Sequence, residues 1–278
     1  MLFAFDLDGT IVTKGNVLPP AIRDAILALR QEGHQVTILT GRHRTGARMA
    51  LDALGVVCHY GTCNGARVHG HGDEHHVELH LEPETVSYLL ERFTHDSKAE
   101  FYLSGRERMF VRDPDTDQWA QARVEGRDLR PAGDYDGEPA HKFILISEHA
   151  GQVQDELAER FPENAYYLWE GRYLEVMAPG GHKGNALARI AHEYGIHRSE
   201  TVAFGDGPND LEMLRWAGRS IGVGQLAAGV SDVIDEHVSG PDELGVARWL
   251  TQEILGRSGK RQDHGIRPSM PLNAGNCS

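Results

Sequence analysis

The amino-acid sequence predicts an α/β protein in which a doubly wound parallel sheet is interrupted by a second, smaller module. Short β-rich runs alternate with longer helical periods in the first and last thirds of the chain, which is typical of βαβ units. The middle third instead shows hairpin-like strand runs with two helices, which favours an α+β module. A chain of 278 residues has room for both parts.

The first third begins with a strand at Leu2–Phe5, a fully apolar run that ends at Asp6. A helix is predicted over 20–32, because prolines stand at its start and Gly33 follows its end. The remaining predicted elements here are a strand, a helix and a short β-like run, at Gln35–Leu39, 45–54 and 56–60.

The pattern changes near residue 82 and changes back after Pro179. Between these points the predicted elements are two helices and five strands, at 83–94, 100–103, 108–112, 142–146, 151–160, Ala165–Trp169 and Tyr173–Met177. The stretch 113–139 is rich in turn residues, and no element is predicted there. Beyond Pro179 the βαβ pattern predicts helices and strands in alternation, at 182–194, 201–204, 209–217, 220–223 and 244–255.

The predicted domains are therefore a core formed by 1–81 and 179–255, and an insert formed by 82–178. The polar segment 256–278 is rich in Gly and Pro and is expected to be a disordered tail.

Composition excludes several classes of function. A net charge of −13 argues against a nucleic-acid partner, since a phosphate backbone requires a basic surface. No apolar run approaches the ~20 residues that span a bilayer, so no membrane association is expected. The first apolar run is too short for a signal peptide, and the three cysteines lack metal-ligand spacing. We therefore expect a cytoplasmic monomer or homodimer.

Polar side chains follow three of the predicted strands. Asp6 and Asp8 follow the first strand, Thr40 follows the second, and Asp206 and Asp210 follow the strand at 201–204. Each could be a helix cap alone. The carboxyl ends of parallel strands meet at one edge of a sheet, however, so we expect these groups to converge.

Convergence of these carboxylates has an electrostatic consequence. Two like charges ~4 Å apart repel by ~4 kcal/mol at an effective dielectric constant of 20. Such a cluster either stays partly protonated or holds a cation. Oxygen ligands without His or Cys select Mg²⁺ or Ca²⁺, and a small carboxylate set that leaves room for a phosphate oxygen favours Mg²⁺.

Lys183 stands at the start of a predicted helix, beside the positive end of the helix dipole. A solvated lysine is the simple interpretation. The unfavourable position is explained if the ammonium pairs with an anion or with the carboxylate of a nucleophile.

Four motifs in order resemble those of the haloacid dehalogenase superfamily. They are Asp6-Leu7-Asp8-Gly9-Thr10, Thr40-Gly41-Arg42, Lys183 and Gly205-Asp206-Gly207-Pro208-Asn209-Asp210. The insert, like Asn64-Gly65-Ala66, resembles the type IIB cap of the Cof-like sugar-phosphatase branch. The chain departs from many Cof-like members at Gly207, where they carry a larger polar residue.

The resemblance implies a Rossmann-like core with a type IIB cap and a Mg²⁺-dependent phosphatase. It implies that Asp6 is the nucleophile, which forms an aspartyl-phosphate, and that Asp8 is the general acid and base. The implied metal ligands are the carboxylates of Asp6 and Asp206 and the main-chain carbonyl of Asp8, with Asp210 as an outer ligand. The implied phosphate-binding residues are Thr40, Gly41, Lys183 and Asn209. The implied substrate is a small phosphorylated metabolite, such as a sugar phosphate.

Two alternatives to hydrolysis stay open. One is a phosphotransferase or phosphomutase on sugar phosphates, which would release little free phosphate. The other is a non-catalytic module that binds a phosphorylated metabolite, although a binder does not need Asp8. A dinucleotide-binding dehydrogenase is disfavoured, because no Gly-x-Gly-x-x-Gly follows the first strand.

Some further residues have more than one interpretation. The histidine-rich segment 69–76 is interpreted as a polar hairpin tip, with a metal-binding tract as the alternative. The basic turn formed by Arg42, His43 and Arg44 either attracts anions or is a solvated helix start. Trp169 is interpreted as a core residue. One or two residues of the insert could read the leaving group of the substrate, the candidates being Tyr102, Arg106, Arg108, Arg172 and Tyr173.

Overall fold

The computed structural model describes residues 1–72 and 74–256. The predicted disordered tail, 256–278, lies outside the described residues except for Gly256. In chain order the strands are β1 (Leu2–Phe5), β2 (Gln35–Leu39), β3 (Tyr60–Thr62), β4 (Arg67–His69), β5 (His75–Glu78), β6 (Glu100–Gly105), β7 (Arg108–Val111), β8 (Asp128–Pro131), β9 (Ala140–Ile146), β10 (Ala165–Trp169), β11 (Tyr173–Met177), β12 (Thr201–Gly205), β13 (Arg219–Val223) and β14 (Glu236–Val238).

The helices alternate with these strands through most of the chain. They are α1 (Pro20–Gln31), α2 (Arg44–Leu54), α3 (Pro83–Phe93), α4 (Ala120–Val124), α5 (Ala150–Arg160), α6 (Lys183–Glu193), α7 (Leu211–Trp216) and α8 (Gly245–Leu250). A 3₁₀ turn at Pro208–Asp210 precedes α7, and a π-helical turn at Thr251–Leu255 follows α8. Among the described residues, no helix combines the length and the apolar character needed to cross a membrane.

The core sheet has eight strands in the order β14-β13-β12-β1-β2-β3-β4-β5. The pairs from β14 through β3 are parallel, and β4 and β5 add an antiparallel hairpin at one side. β1 thus lies between β2 and β12, which are far apart in sequence. The strands on one side of β1 come from the first third of the chain, and those on the other side come from the last third. All four residues of β1 are buried, as the apolar run predicts.

Alternation of side chains along β1 explains why helices cover both faces of this sheet. Phe3 and Phe5 join a cluster with α1, α2 and α8, whereas Leu2 and Ala4 join a cluster with α6 and α7. A strand buried on both faces reads as a continuous apolar run. The doubly wound α/β core is therefore confirmed.

The second sheet has six strands in the order β10-β11-β9-β6-β7-β8. Its pairs are antiparallel except β7 with β8. Helices α3 and α5 pack on one face through residues such as Leu89, Phe93 and Leu157, against Phe101 and Phe143. All six strands fall between residues 100 and 177, and this module is called the cap below. The limits 82 and 178 stay predictions.

Some elements were not predicted. The turn-rich stretch 113–139 contains α4 and β8, and β14 was missed near the end of the chain. β8 and β14 lie at the ends of their sheets and are partly exposed, so neither has a strong apolar pattern. The histidine-rich segment does form the predicted hairpin, with its tip between β4 and β5.

Candidate active site

The carboxyl ends of β1, β2 and β12 meet at one edge of the core sheet, which is called the carboxyl edge below. Asp6 directly follows β1 and donates its main-chain N–H to the carbonyl of Phe204, at 3.1 Å. Thr40 follows β2, and Asp206 follows β12. The structure therefore places these three predicted residues at one edge.

Lys183 joins two of the predicted carboxylates. Its Nζ donates to Oδ1 of Asp6 at 2.5 Å and to Oδ1 of Asp210 at 2.6 Å, and its side chain is fully buried. Lys183 is the first residue of α6, and its two carboxylate partners offset the unfavourable position of an ammonium at the positive end of the helix dipole. The predicted pairing of this lysine with a carboxylate is present in the structure.

Burial and mutual repulsion disfavour ionisation of the carboxylates. Burial raises the pKa of Asp6 well above its usual value; Lys183 opposes this, and the charges of Asp210 and Asp206 add to it. Burial also raises the pKa of Asp206 to about 7, and Asp210 adds to the effect, while the hydrogen bond from Thr10 opposes it. A cluster of this kind gains stability when a cation replaces the missing positive charge.

The donor set suits a hard divalent cation. Asp6, Asp206 and Asp210 each offer a carboxylate oxygen, and these atoms lie within 4.8 Å of one another. The group contains only oxygen donors, which is the chemistry that Mg²⁺ prefers. The side chain of Asp8 lies outside this group, although its predicted contribution is a main-chain carbonyl.

Asp210 also accepts hydrogen bonds from the main chain of the loop after β12. Its Oδ2 accepts the main-chain N–H groups of Asp206 and Gly207, both at 3.0 Å. Both of its oxygens are therefore engaged by protein groups. This arrangement favours an outer position relative to a cation and holds the main chain at Asp206 in place.

Asp8 is exposed, and Arg42 holds it. The guanidinium donates from Nε to Oδ2 of Asp8 at 2.8 Å and from Nη2 to Oδ1 at 2.5 Å. Arg42 also donates to Oδ1 of Asn16 at 2.7 Å. A bidentate pair is geometrically specific. The interpretation of Arg42 as a solvated helix start is therefore wrong, because its side chain is committed to Asp8.

Gly9 allows Asp206 to approach the loop after β1. Its φ of +83° lies in the left-handed region, and a Cβ at this position would be 2.5 Å from Oδ2 of Asp206. Only glycine meets both demands.

The predicted phosphate-binding residues lie around Asn64. Nδ2 of Asn209 donates to Oδ1 of Asn64 at 2.8 Å, and a Cβ on Gly41 would be 2.9 Å from the same oxygen. Thr40 is fully buried, and its Oγ1 accepts the N–H of Arg42 at 3.1 Å. The structure thus brings Thr40, Gly41 and Asn209 together. Lys183, the fourth predicted phosphate-binding residue, contacts Asp6.

Two cap residues at this edge were not predicted. Nζ of Lys142, on β9, donates to the carbonyl of Gly41 at 2.8 Å. Glu175, on β11, accepts from Nδ2 of Asn64 and lies 3.6 Å from the Lys142 ammonium. Burial alone lowers the pKa of Lys142, but Glu175 and other neighbours outweigh it, so the pKa is raised. The signal in the sequence was a lysine inside an apolar strand.

A cavity of about 1560 Å³ opens at the carboxyl edge, beside Asp8 and Asp206. Trp169 of the cap forms part of its wall and also packs against a small apolar cluster, so the prediction of a core residue is only half right. A Cβ on Gly207 would be 2.4 Å from the Trp169 ring. The departure at Gly207 noted in the sequence therefore provides space for this indole.

Five residues of the insert were candidates for contact with the leaving group of the substrate, and they lie elsewhere. Among the described residues, none of Tyr102, Arg106, Arg108, Arg172 and Tyr173 lines this cavity. Arg106 pairs with Glu78, and Arg108 pairs with acidic residues of the cap.

A family model for haloacid dehalogenase-like hydrolases matches residues 3–250. The chain belongs to this family. The match spans the core on both sides of the cap, so the resemblance seen in the four motifs is confirmed.

Curated relatives agree with this assignment. The chain is 29% identical over 234 residues to an HMP-PP phosphatase of Cronobacter sakazakii, covering 80% of this chain and 84% of that protein. It is 27% identical over 263 residues to an HMP-PP phosphatase of Yersinia pseudotuberculosis, covering 90% and 93%. The prediction of an enzyme of the phosphatase class within the haloacid dehalogenase-like family is thus confirmed.

Solved structures share the fold. A haloacid dehalogenase-like hydrolase from Bacteroides thetaiotaomicron superposes with a TM-score of 0.76 at 23% identity, covering 90% of this chain and 98% of that one. A haloacid dehalogenase subclass IIB sugar phosphatase superposes with a TM-score of 0.79 at 21% identity, covering 90% and 97%. The Rossmann-like core with an inserted cap is therefore confirmed for this member of the family.

Proposed function

We propose that this haloacid dehalogenase-like protein is a Mg²⁺-dependent phosphomonoester hydrolase that acts through an aspartyl-phosphate on a small phosphorylated metabolite. The observation that carries the proposal is the placement of Asp6. Its carboxylate is buried between the ammonium of Lys183 and the carboxylates of Asp206 and Asp210. Asp8, two residues further along, is exposed at the cavity.

The three-carboxylate group supports a resident Mg²⁺. Asp6 and Asp206 would hold the ion with the main-chain carbonyl of Asp8, and Asp210 would hold the main chain at Asp206 in place. When bound, such an ion neutralises the charge that keeps a carboxylate and a phosphate apart.

The first chemical step would transfer the phosphoryl group to Asp6. A carboxylate oxygen of Asp6 forms a bond to phosphorus while the bond from phosphorus to the leaving oxygen, of an alcohol or of a second phosphate, breaks. Asp8 donates a proton to the leaving oxygen. In the second step a water attacks phosphorus, Asp8 takes its proton, and the Asp6–phosphorus bond breaks to release inorganic phosphate.

The pair of Asp8 with Arg42 occupies both carboxylate oxygens of Asp8. Both steps of this cycle need an oxygen of Asp8 to reach the leaving group or the attacking water. We therefore propose that Asp8 exchanges Arg42 for the leaving oxygen when substrate binds.

The phosphoryl oxygens would be bound by groups that already lie together at the carboxyl edge. The Thr40 hydroxyl, the Gly41 main chain and the Asn209 amide offer hydrogen bonds, and Lys183 offers positive charge. Catalysis of this kind depends on positioning and electrostatics.

The cavity supports a leaving group of substantial size beyond the phosphate. The relatives named above make HMP-PP one candidate substrate, and the subclass IIB structure makes sugar phosphates another. The indole of Trp169, on the cavity wall, offers a flat apolar surface to either class.

The proposed compartment is the cytoplasm. Cys58 and Cys63 are buried free thiols, which fits a reducing environment.

Phosphate release from a panel that contains sugar phosphates and HMP-PP tests the proposal. The panel is assayed with Mg²⁺, with chelator, and with Asp6→Asn, and we expect turnover that needs the metal and falls by at least about 10³-fold in the variant. Asp24→Asn, on the exposed face of α1, is the matched control and should keep full activity.

Two results would count against hydrolysis. Release that is equal in Asp6→Asn and in the wild type would remove Asp6 as the nucleophile. Phosphoryl transfer to an added sugar, with little free phosphate, would establish the transferase alternative.

A further inference from the structure

The opposite edge of the core sheet carries a group of histidines that the proposed phosphatase chemistry does not use. His59 immediately precedes β3, His76 lies on β5, and Glu193 is the last residue of α6. These three residues are called the histidine cluster below. Lys183 is the first residue of the same 11-residue helix, so the cluster lies about 15 Å along the helix axis from the active-site lysine.

The ligand atoms of the three side chains lie close together. Nε2 of His59 lies 3.3 Å from Oε2 of Glu193, and Nδ1 of His76 lies 2.9 Å from the same oxygen. All three ligand atoms lie within 4.8 Å of one another. Tetrahedral Zn²⁺ sites with bonds of about 2.0–2.2 Å place their ligand atoms about 3.3–3.6 Å apart. The three ligand atoms are therefore close enough for small side-chain adjustments to bring them onto one ion.

A second observation on His76 points to the same ligand. Its other ring nitrogen, Nε2, lies 3.3 Å from Oε1 of Glu74. A metal-bound histidine commonly donates its second N–H to a carboxylate, which fixes the orientation of the ring. His76 thus has one nitrogen directed at the cluster and the other held by a carboxylate.

The ring of His59 is positioned by an aromatic neighbour. It packs edge-on against the ring of Tyr194, with the centroids 4.8 Å apart. The His71 ring lies 4.3 Å from the His59 ring, between centroids, and its Nε2 is 2.8 Å from the Tyr194 hydroxyl, so water would complete the coordination.

We propose that His59, His76 and Glu193 form a second metal site. It binds Zn²⁺ and thereby links the β4–β5 hairpin to the C-terminal end of α6. Two imidazoles and one carboxylate select Zn²⁺ over Mg²⁺, whereas the all-oxygen group at the carboxyl edge has the opposite preference. The site is independent of the proposed phosphatase activity. The histidine-rich segment forms the predicted hairpin, and it contributes His76 to the proposed site, together with His59 and Glu193 from other elements.

Zn²⁺ binding to the chelator-stripped full-length protein tests the site, measured by calorimetry with excess Mg²⁺ present. We expect one Zn²⁺ per chain. His76→Gln and Glu193→Gln should weaken binding at least tenfold, because each removes a ligand, and Glu74→Gln should weaken it about 10–100-fold. The controls are His95→Gln, an exposed histidine on the cap, and Asp6→Asn; both should keep the wild-type affinity.

Thermal unfolding provides the second readout. Zn²⁺ should raise the melting temperature of the wild type and of Asp6→Asn, and should leave that of His76→Gln and Glu193→Gln unchanged. Absence of a bound equivalent would overturn the proposal. So would equal affinity in the wild type, His76→Gln and Glu193→Gln, which would leave the cluster as an ion pair between the hairpin and the helix.

Discussion

The two ends of α6 show how burial decides what a charged group does. At the first residue, Lys183 is fully buried and contacts two carboxylates at 2.5 and 2.6 Å. At the last residue, Glu193 contacts two histidines, and its side chain is 25% exposed. Both ends satisfy their charges with neighbours from other elements, but only the first does so away from water.

This difference predicts different energies for similar contacts. Removal of one partner from a buried pair leaves an uncompensated charge and costs about 3–5 kcal/mol, whereas exposed pairs contribute about 0–1 kcal/mol. We therefore expect the removal of one charged side chain to destabilise the carboxyl edge strongly and the opposite edge only weakly.

The largest expected effect comes from Lys183→Met. At pH 8 we expect the free energy of unfolding to fall by about 3–5 kcal/mol, because Asp6 and Asp210 lose their shared cation. Glu193→Gln, at the other end of the same helix, should cost less than about 1 kcal/mol. Urea denaturation of both variants without added metal measures the two losses of unfolding free energy. Equal losses would contradict the predicted difference between the two ends of α6.

Gly9→Ala is expected to have an intermediate effect on stability. Its left-handed backbone and the 2.5 Å approach of a Cβ to Asp206 should together cost about 2–3 kcal/mol and displace Asp206. Gly126→Ala is the matched control, since Gly126 has a φ of +72° and nothing within 4 Å of its Cβ position. Denaturation and metal-dependent turnover should both separate the two variants; equal losses would assign the whole effect to backbone strain.

The smallest expected effect is a pH dependence at His43, where the cap meets the carboxyl edge. Burial lowers the pKa of His43 to about 3, Arg127 adds to the shift, and the hydrogen bond to the Arg106 carbonyl opposes it. Between about pH 6.5 and 3 the unfolded chain binds more protons than the folded chain, so stability falls as the pH falls. His76 at the opposite edge behaves differently, because its hydrogen bond to Glu193 raises its pKa.

His43→Asn should reduce this acid sensitivity, because asparagine can still cap α2 but does not titrate. Between pH 7 and 5 we expect the wild type to lose about 1–2 kcal/mol more than the variant. His95→Asn, at an exposed histidine, should keep the wild-type slope. Denaturation at a series of pH values measures this, and parallel curves for all three proteins would contradict the assignment.

The fold was predictable wherever local pattern and burial agree. The apolar run at β1 and the proline-to-glycine limits of α1 identified those elements without tertiary information. β8 and β14 were not predictable, because a short strand at the end of a sheet forms through pairing with a neighbour that already exists. Its own residues carry little apolar pattern.

Some residues of the candidate site were likewise predictable from the sequence, and others were not. Asp6, Thr40 and Asp206 could be grouped in advance, because the carboxyl ends of parallel strands share an edge whatever the loops do. The contacts of Lys142 with Gly41 and of Glu175 with Asn64 bridge 101 and 111 residues of sequence. Nothing in the local sequence at either end specifies such a partner, since the packing of the cap on the core creates it.

The sequence by itself determined the alternation of strands and helices around β1, the carboxylates at the strand ends and the glycines that their loops require. These features depend on side-chain periodicity and backbone conformation, which act over a few residues. Only the tertiary structure decided that Arg42 holds Asp8, that Trp169 lies over Gly207, and that histidines from two strand regions meet the end of α6. These contacts depend on how whole elements pack, and packing is a property of the complete core rather than of any segment.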